Sequence, residues 1–109
     1  MTAKYYILEL QRMYFEIEDL QEYNLKHLEA MIQLMSQYQH IVKELFKRFP
    51  ENFDNLFQIG LEEIYDHVVV LNNATAYMEK TKCFSDLHFY FQQSVLDARA
   101  KLVQDYIRG

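Results

Sequence analysis

"YILELQRMYFEIEDL", residues 6–20, decides the fold class. Its apolar side chains Tyr6, Leu10, Met13, Ile17 and Leu20 recur at steps of four, three, four and three. That is the repeat of a helix with one buried face. Thr2, just before it, has the side chain of a helix N-cap. The same spacing resumes at Leu28, Met31, Met35, Tyr38, Val42, Leu45 and Phe49. Between the two runs, an unbroken heptad would place Asn24 and His27 in the core. Two readings follow: a turn near residues 22–26, or one long helix with a stutter. A helix over residues 3–48 would be far longer than the usual ~11–12 residues, which favours two.

Working outward, Pro50 forces a break, because the residue before a proline avoids the helical region. "PENFDN", residues 50–55, reads as a turn with Asn52, Asp54 or Asn55 as N-cap. The next helix carries Phe57, Leu61, Ile64, Val68, Leu71 and Met78, with Gly60 inside it as a mark of close helix packing. From Met78 to Phe84 the step is six rather than seven, so "EKTKCFSD", residues 79–86, reads as a turn or a skip in the seam, with Ser85 as the cap if it is a turn and Cys83 as a plain thiol. A last helix runs through Phe84, Leu87, Phe91, Val95, Ala98, Leu102 and Tyr106. The expected architecture is all-α: one domain over residues 1–109, an antiparallel bundle of three to four long amphipathic helices.

Composition agrees and narrows the function classes. Two glycines and one proline in 109 residues are far too few for a loop-rich or sheet-rich chain. A formal charge of −5 argues against nucleic acid as a partner, since a binder needs a basic stripe to neutralise phosphates. The basic group Lys43, Lys47 and Arg48 sits before Pro50, where cations suit a helix C-terminus. One cysteine excludes an internal disulfide and a cysteine-based zinc site. No leader pattern and no membrane-span pattern is visible. The expected setting is cytoplasmic. Aromatic side chains outside the apolar seams, Tyr5, Tyr14, Phe15, Phe89 and Tyr90, leave two readings: an unusually aromatic core or a partner surface. Tyr5, Tyr14 and Phe15 are the expected interaction surface, for a homo-oligomer or a protein partner.

"LEEIYDHVVVLNN", residues 61–73, holds the densest chemistry: Glu62, Glu63, Tyr65, Asp66 and His67. A carboxylate-bridged di-metal bundle needs Glu-x-x-His pairs, but Asn24, Gln37, Ile64 and Ser85 precede the four histidines by three. Magnesium-dependent nucleotide hydrolysis in a helical fold would need a later Glu-x-x-Asp, which is absent. A phosphotransfer role for His40 is opposed by Glu44 and Leu45, which would repel and block a docking partner. No nucleophile elbow or phosphate-cradling glycine loop occurs. These eliminations leave a solvated acidic face and a non-enzymatic protein.

Residues 28–73, from "LEAMIQLMSQYQHIVKELFKRFPENF" through the Glu63-Ile64-Tyr65-Asp66-His67 motif, resemble the cytoplasmic helices of CorA-type divalent-cation transporters. In that family an apolar helix ends in a proline turn, and an acidic-apolar-Tyr-Asp-His signature begins a long helix. "FSDLHFYF", residues 84–91, looks like a degraded form of its stalk. The resemblance implies that Glu63 stands where some members sense magnesium between subunits, with Asp66 beside it as a second metal-ligating candidate. Tyr65, Asp66 and His67 would form a structural motif linking helices, and Asp86 would be the stalk aspartate. The Gly-Met-Asn pore signature, both membrane spans and the N-terminal α/β portion are absent. The implied role is a free-standing helical module for assembly and weak Mg²⁺ sensing, with no other cofactor. The alternative is an unrelated helical adaptor or regulatory protein.

Overall fold

The computed structural model describes residues 2–108. Its elements are α1 (Ala3–Glu18), α2 (Leu25–Arg48), α3 (Pro50–Asn55), a π turn (Leu56–Gly60), α4 (Leu61–Asn73) and α5 (Tyr77–Arg108). The all-α class is therefore as read from the sequence, and no strand occurs among the described residues. None of the described helices is long and apolar enough to cross a membrane.

The first 48 residues form two helices, and the residues that broke the heptad make the break. The Thr2 hydroxyl accepts the Tyr5 N–H at 3.2 Å and starts α1. The Asn24 side chain accepts the His27 N–H at 2.7 Å and starts α2. The connection occupies residues 19–24, a little earlier than the spacing suggested. The last turn of α2 carries Lys47 and Arg48, as expected of a helix C-terminus. Arg48 also lies over the Tyr6 ring, 5.4 Å from its centroid, and so ties α2 to α1.

Past Pro50 the structure departs from the expected pattern at three points. "PENFDN" is helix α3 and not a turn. Proline forbids the helical region to the residue before it, and Phe49 is indeed non-helical at φ −133°, ψ 65°. Proline itself suits the first helical position, so the chain re-enters a helix at once. Asn52, Asp54 and Asn55 make no cap. Asn52 instead donates to the Asp105 carboxylate at 2.6–2.7 Å, pinning α3 to the end of α5.

Gly60 marks a π turn, not a close helix crossing. The Leu61 N–H bonds the Leu56 carbonyl, five residues back. Phe53, Leu56, Leu61 and Ile64 are all buried, at steps of three, five and three. An α-helix would swing the fifth residue well off the apolar face, whereas the wider π turn returns it to that face. This single slip buries Leu56 rather than Phe57, which instead stacks on Phe46 with ring centroids 4.9 Å apart.

The third departure is the boundary before α5. The helix breaks at residues 74–76, and "EKTKCFSD" lies wholly within α5. Ser85 is therefore no cap, and Cys83 sits on a helix. Met78 caused the error: it is 84% exposed and belongs to no seam. The true step is from Leu71, the last buried residue of α4, to Phe84, the first of α5. Ala74 ends α4 in extended conformation, its N–H bonded to the Val70 and Leu71 carbonyls.

α5 is the axis of the molecule. Thirty-two residues at ~1.5 Å each give ~48 Å, which matches the 49 Å long dimension. Phe84, Leu87, Phe91, Val95, Ala98 and Leu102 form its fully buried stripe. α1 lies against it through Gln92 to Glu18 and His88 to the Ile17 carbonyl, the latter at 2.7 Å. α2 reaches it through Tyr38, which is fully buried. The Tyr38 hydroxyl donates to the Ser94 carbonyl at 2.9 Å, with the Ser94 hydroxyl 2.7 Å away.

Two predictions follow from these contacts. A Cβ at Gly60 would meet nothing closer than Leu56 Cδ2 at 3.5 Å, an ordinary contact. Gly60→Ala should therefore stabilise the protein by about 0.5–1 kcal/mol in urea unfolding. Burial pushes the Tyr38 phenol well above its ordinary value of 10. The native state keeps this proton while unfolded tyrosine loses it. Stability should hold below pH ~10 and fall above it, by up to ~1.4 kcal/mol per pH unit. Tyr38→Phe should cost about 1–2 kcal/mol at neutral pH and flatten that alkaline fall in thermal melts.

Candidate functional site

The acidic segment is not at a helix start. The Leu61 N–H is already bonded to Leu56, so Glu62 and Glu63 enter a helical run begun at Pro50 rather than a free N-terminus. Any charge–dipole benefit expected of first-turn acids is lost with that free end.

The five chemical side chains of residues 62–67 fan out around α4. Tyr65 donates to the Gln39 side chain of α2 at 3.0 Å. His67 Nδ1 lies 2.8 Å from the Glu63 backbone carbonyl, and its ring stacks on Tyr90 of α5 at 4.9 Å between centroids. The Tyr90 hydroxyl in turn donates to the Glu63 carboxylate. Tyr65 thus contacts α2 and His67 contacts α5. Their chemistry is spent on packing and hydrogen bonding rather than gathered at one point.

Glu63 and Asp66, the two metal-ligating candidates, line different grooves. Asp66 faces a small one, about 230 Å³, together with His67, Cys83 and Asp86. Glu63 faces a larger one, about 660 Å³, between the π turn and α5. Among the described residues, no group of three or more His, Cys, Asp or Glu side chains is placed to hold a metal ion. What the sequence did not reveal is that Asp66 and Asp86, twenty residues apart in the chain, line one groove.

The expected interaction surface also divides. Tyr14 and Phe15 line a groove of about 290 Å³ between α1 and α5, with Gln11, Leu96 and Arg99. Phe15 is 58% exposed. Tyr5 lies beside a separate groove between α1 and α2, with Glu9, Arg12 and His40 among its neighbours. That second groove is internally neutralised. Arg12 bonds Glu9 at 2.7 Å and Glu16 at 2.8 Å, and reaches Gln37 of α2 at 3.0 Å. The Arg12 hydrogen bond holds the Glu9 carboxyl below its ordinary range, and the Glu9 charge raises the Tyr5 phenol.

Arg99 has no such partner. Among the described residues it makes no ion pair. Its closest polar contact is Gln11 Oε1, 3.4 Å from Nη2, and its buried Nε has no hydrogen-bond partner. A guanidinium left this way is poorly compensated. Leu96 was not singled out from the sequence, and Arg99 reads there only as a cation suited to the C-terminal end of the last helix. The signal was the seven-residue step from Phe89 to Leu96, off the buried stripe of α5.

No family model, no curated protein and no solved structure matches this chain.

Proposed function

We propose that this chain is a non-enzymatic antiparallel helical bundle that works by protein–protein contact, with the α1–α5 groove as its docking face. The observation that carries this reading is the combination in that groove. Apolar walls from Tyr14, Phe15 and Leu96 surround Arg99, whose guanidinium lacks an acidic partner among the described residues. Aromatic and arginine side chains of this kind anchor protein interfaces. The complementary ligand is an apolar segment carrying a carboxylate. A second copy of this chain meets that description, because its net charge is −5 and its surface mixes acids with exposed apolar residues such as Leu8 and Val69. Self-association is therefore the reading adopted.

A second reading has its own support. The likeness to the cytoplasmic helices of CorA-type transporters picks out Asp66 and Asp86, and these two carboxylates share one groove between α4 and α5. Magnesium retains most of its waters and needs only one or two protein carboxylates, so this pair suits a weak sensing site. Glu63, facing the neighbouring groove, would act only across a subunit boundary.

Sedimentation velocity tests the first reading. The protein should be dimeric or larger, and Phe15→Ser with Leu96→Ser should weaken association by about 10–100-fold, while Tyr5→Ser on the other groove leaves it unchanged. A monomeric wild type, or a double variant that associates as tightly, would overturn it. For the second, millimolar Mg²⁺ should raise the melting temperature by about 2–5 °C, and Asp66→Asn with Asp86→Asn should abolish the rise. The absence of any shift removes the sensing role.

A further inference from the structure

The groove between the π turn and α5 has a chemistry unlike that of either docking reading. Its floor is made of small residues, Gly60 and Ser94, both buried. Ile59 and Phe89 form apolar walls, 52% and 65% exposed. Two carboxylates, Glu63 and Asp97, face the same space.

Neither carboxylate is firmly neutralised. The Glu63 carboxylate accepts from the Tyr90 hydroxyl, a neutral donor that fixes its position and leaves its charge. His67 stacks behind Tyr90 and holds that ring in place. Asp97 has Lys101 at 3.6 Å, an exposed pair one helical turn apart, and such pairs hold weakly against competition. Phe89 stands free on the rim, with an aromatic face that attracts cations.

The π turn is what brings these groups together. By inserting one residue it keeps Leu56 and Leu61 on the buried face, and it sets Ile59, Gly60 and Glu63 along the edge that looks at α5. π turns often mark functional sites, and this one sits beside two weakly compensated acids and an unpartnered aromatic ring.

We propose that this groove binds an arginine side chain carried on an apolar-flanked segment of a partner protein. A guanidinium is planar, so it lies on Phe89 while its N–H groups fork onto a carboxylate. The ammonium of lysine can do only one of these well. Apolar flanks would cover Ile59 and the edge of Phe89, which a bare polyamine leaves wet. The site shares no residue with the α1–α5 groove, so it stands or falls independently of self-association there.

The test is a titration of the ¹⁵N-labelled full chain with a synthetic peptide of alternating leucine and arginine, followed by amide shifts. The expected result is saturable shifts confined to residues 59–63 and 89–97. Affinity should drop about ten-fold in Glu63→Gln and in Asp97→Asn and about five-fold in Phe89→Ala. Glu29→Gln, an equal loss of charge on exposed α2, should change it less than about two-fold. The lysine version of the peptide should bind more weakly, and spermidine more weakly still. The amide spectra also report whether each variant is folded; Asp97 and Phe89 are both exposed, so their variants keep the test open if Glu63→Gln unfolds. The proposal is overturned if the arginine peptide shows no saturable binding at millimolar concentration. It is equally overturned if shifts map to the α1–α5 groove, if Glu29→Gln matches the groove variants, or if spermidine binds more tightly than the peptide.

Discussion

Everything in this molecule is arranged around the apolar stripe of α5. Phe84, Leu87, Phe91, Val95, Ala98 and Leu102 are completely removed from solvent, and a single amphipathic helix cannot achieve that alone. Burying a large apolar side chain is worth about 1.5–3 kcal/mol, against a net stability of only ~5–15 kcal/mol for a whole domain. The other helices are therefore constrained to cover this stripe, and each does so with its own seam. α1 contributes Tyr6, Leu10, Met13 and Ile17, α2 contributes Met31, Met35, Tyr38, Val42 and Leu45, and the segment from Phe53 to Leu71 contributes the rest.

That constraint explains the π turn. The chain must run from Pro50 to Asn73 with one face held to the core, but the buried residues Leu56 and Leu61 stand five apart, out of α-helical phase. A π turn at residues 56–60 absorbs the extra residue without breaking the helix. The acidic segment is then delivered sideways, with Tyr65 toward α2, His67 toward α5, and Glu63 and Asp66 into separate grooves. A stretch that looks like one site in the sequence becomes several links between helices. The remaining polar groups line grooves that join distant parts of the chain: Arg99 with Phe15, Asp86 with Asp66, and Asp97 with Glu63.

The sequence by itself determined the helical class, the seams of α1 and α2, that of α5 as far as Leu102, and the Thr2 cap of α1. These are local properties, because a residue's place on a helix face follows from its spacing, and a cap bond spans three residues. The helix at Pro50, the break at residues 74–76 and the π turn were decided only by tertiary structure. Met78 has the right spacing and character for a core position, yet the chain leaves it in solvent. Phe57 is displaced from the core by Leu56 for the sake of helix phase. The grooves were beyond sequence reading for the same reason. Whether Arg99 has a partner, or Asp66 shares a groove with Asp86, depends on how helices far apart in the chain lie beside one another, and that arrangement is set by the burial of α5, which no local pattern encodes.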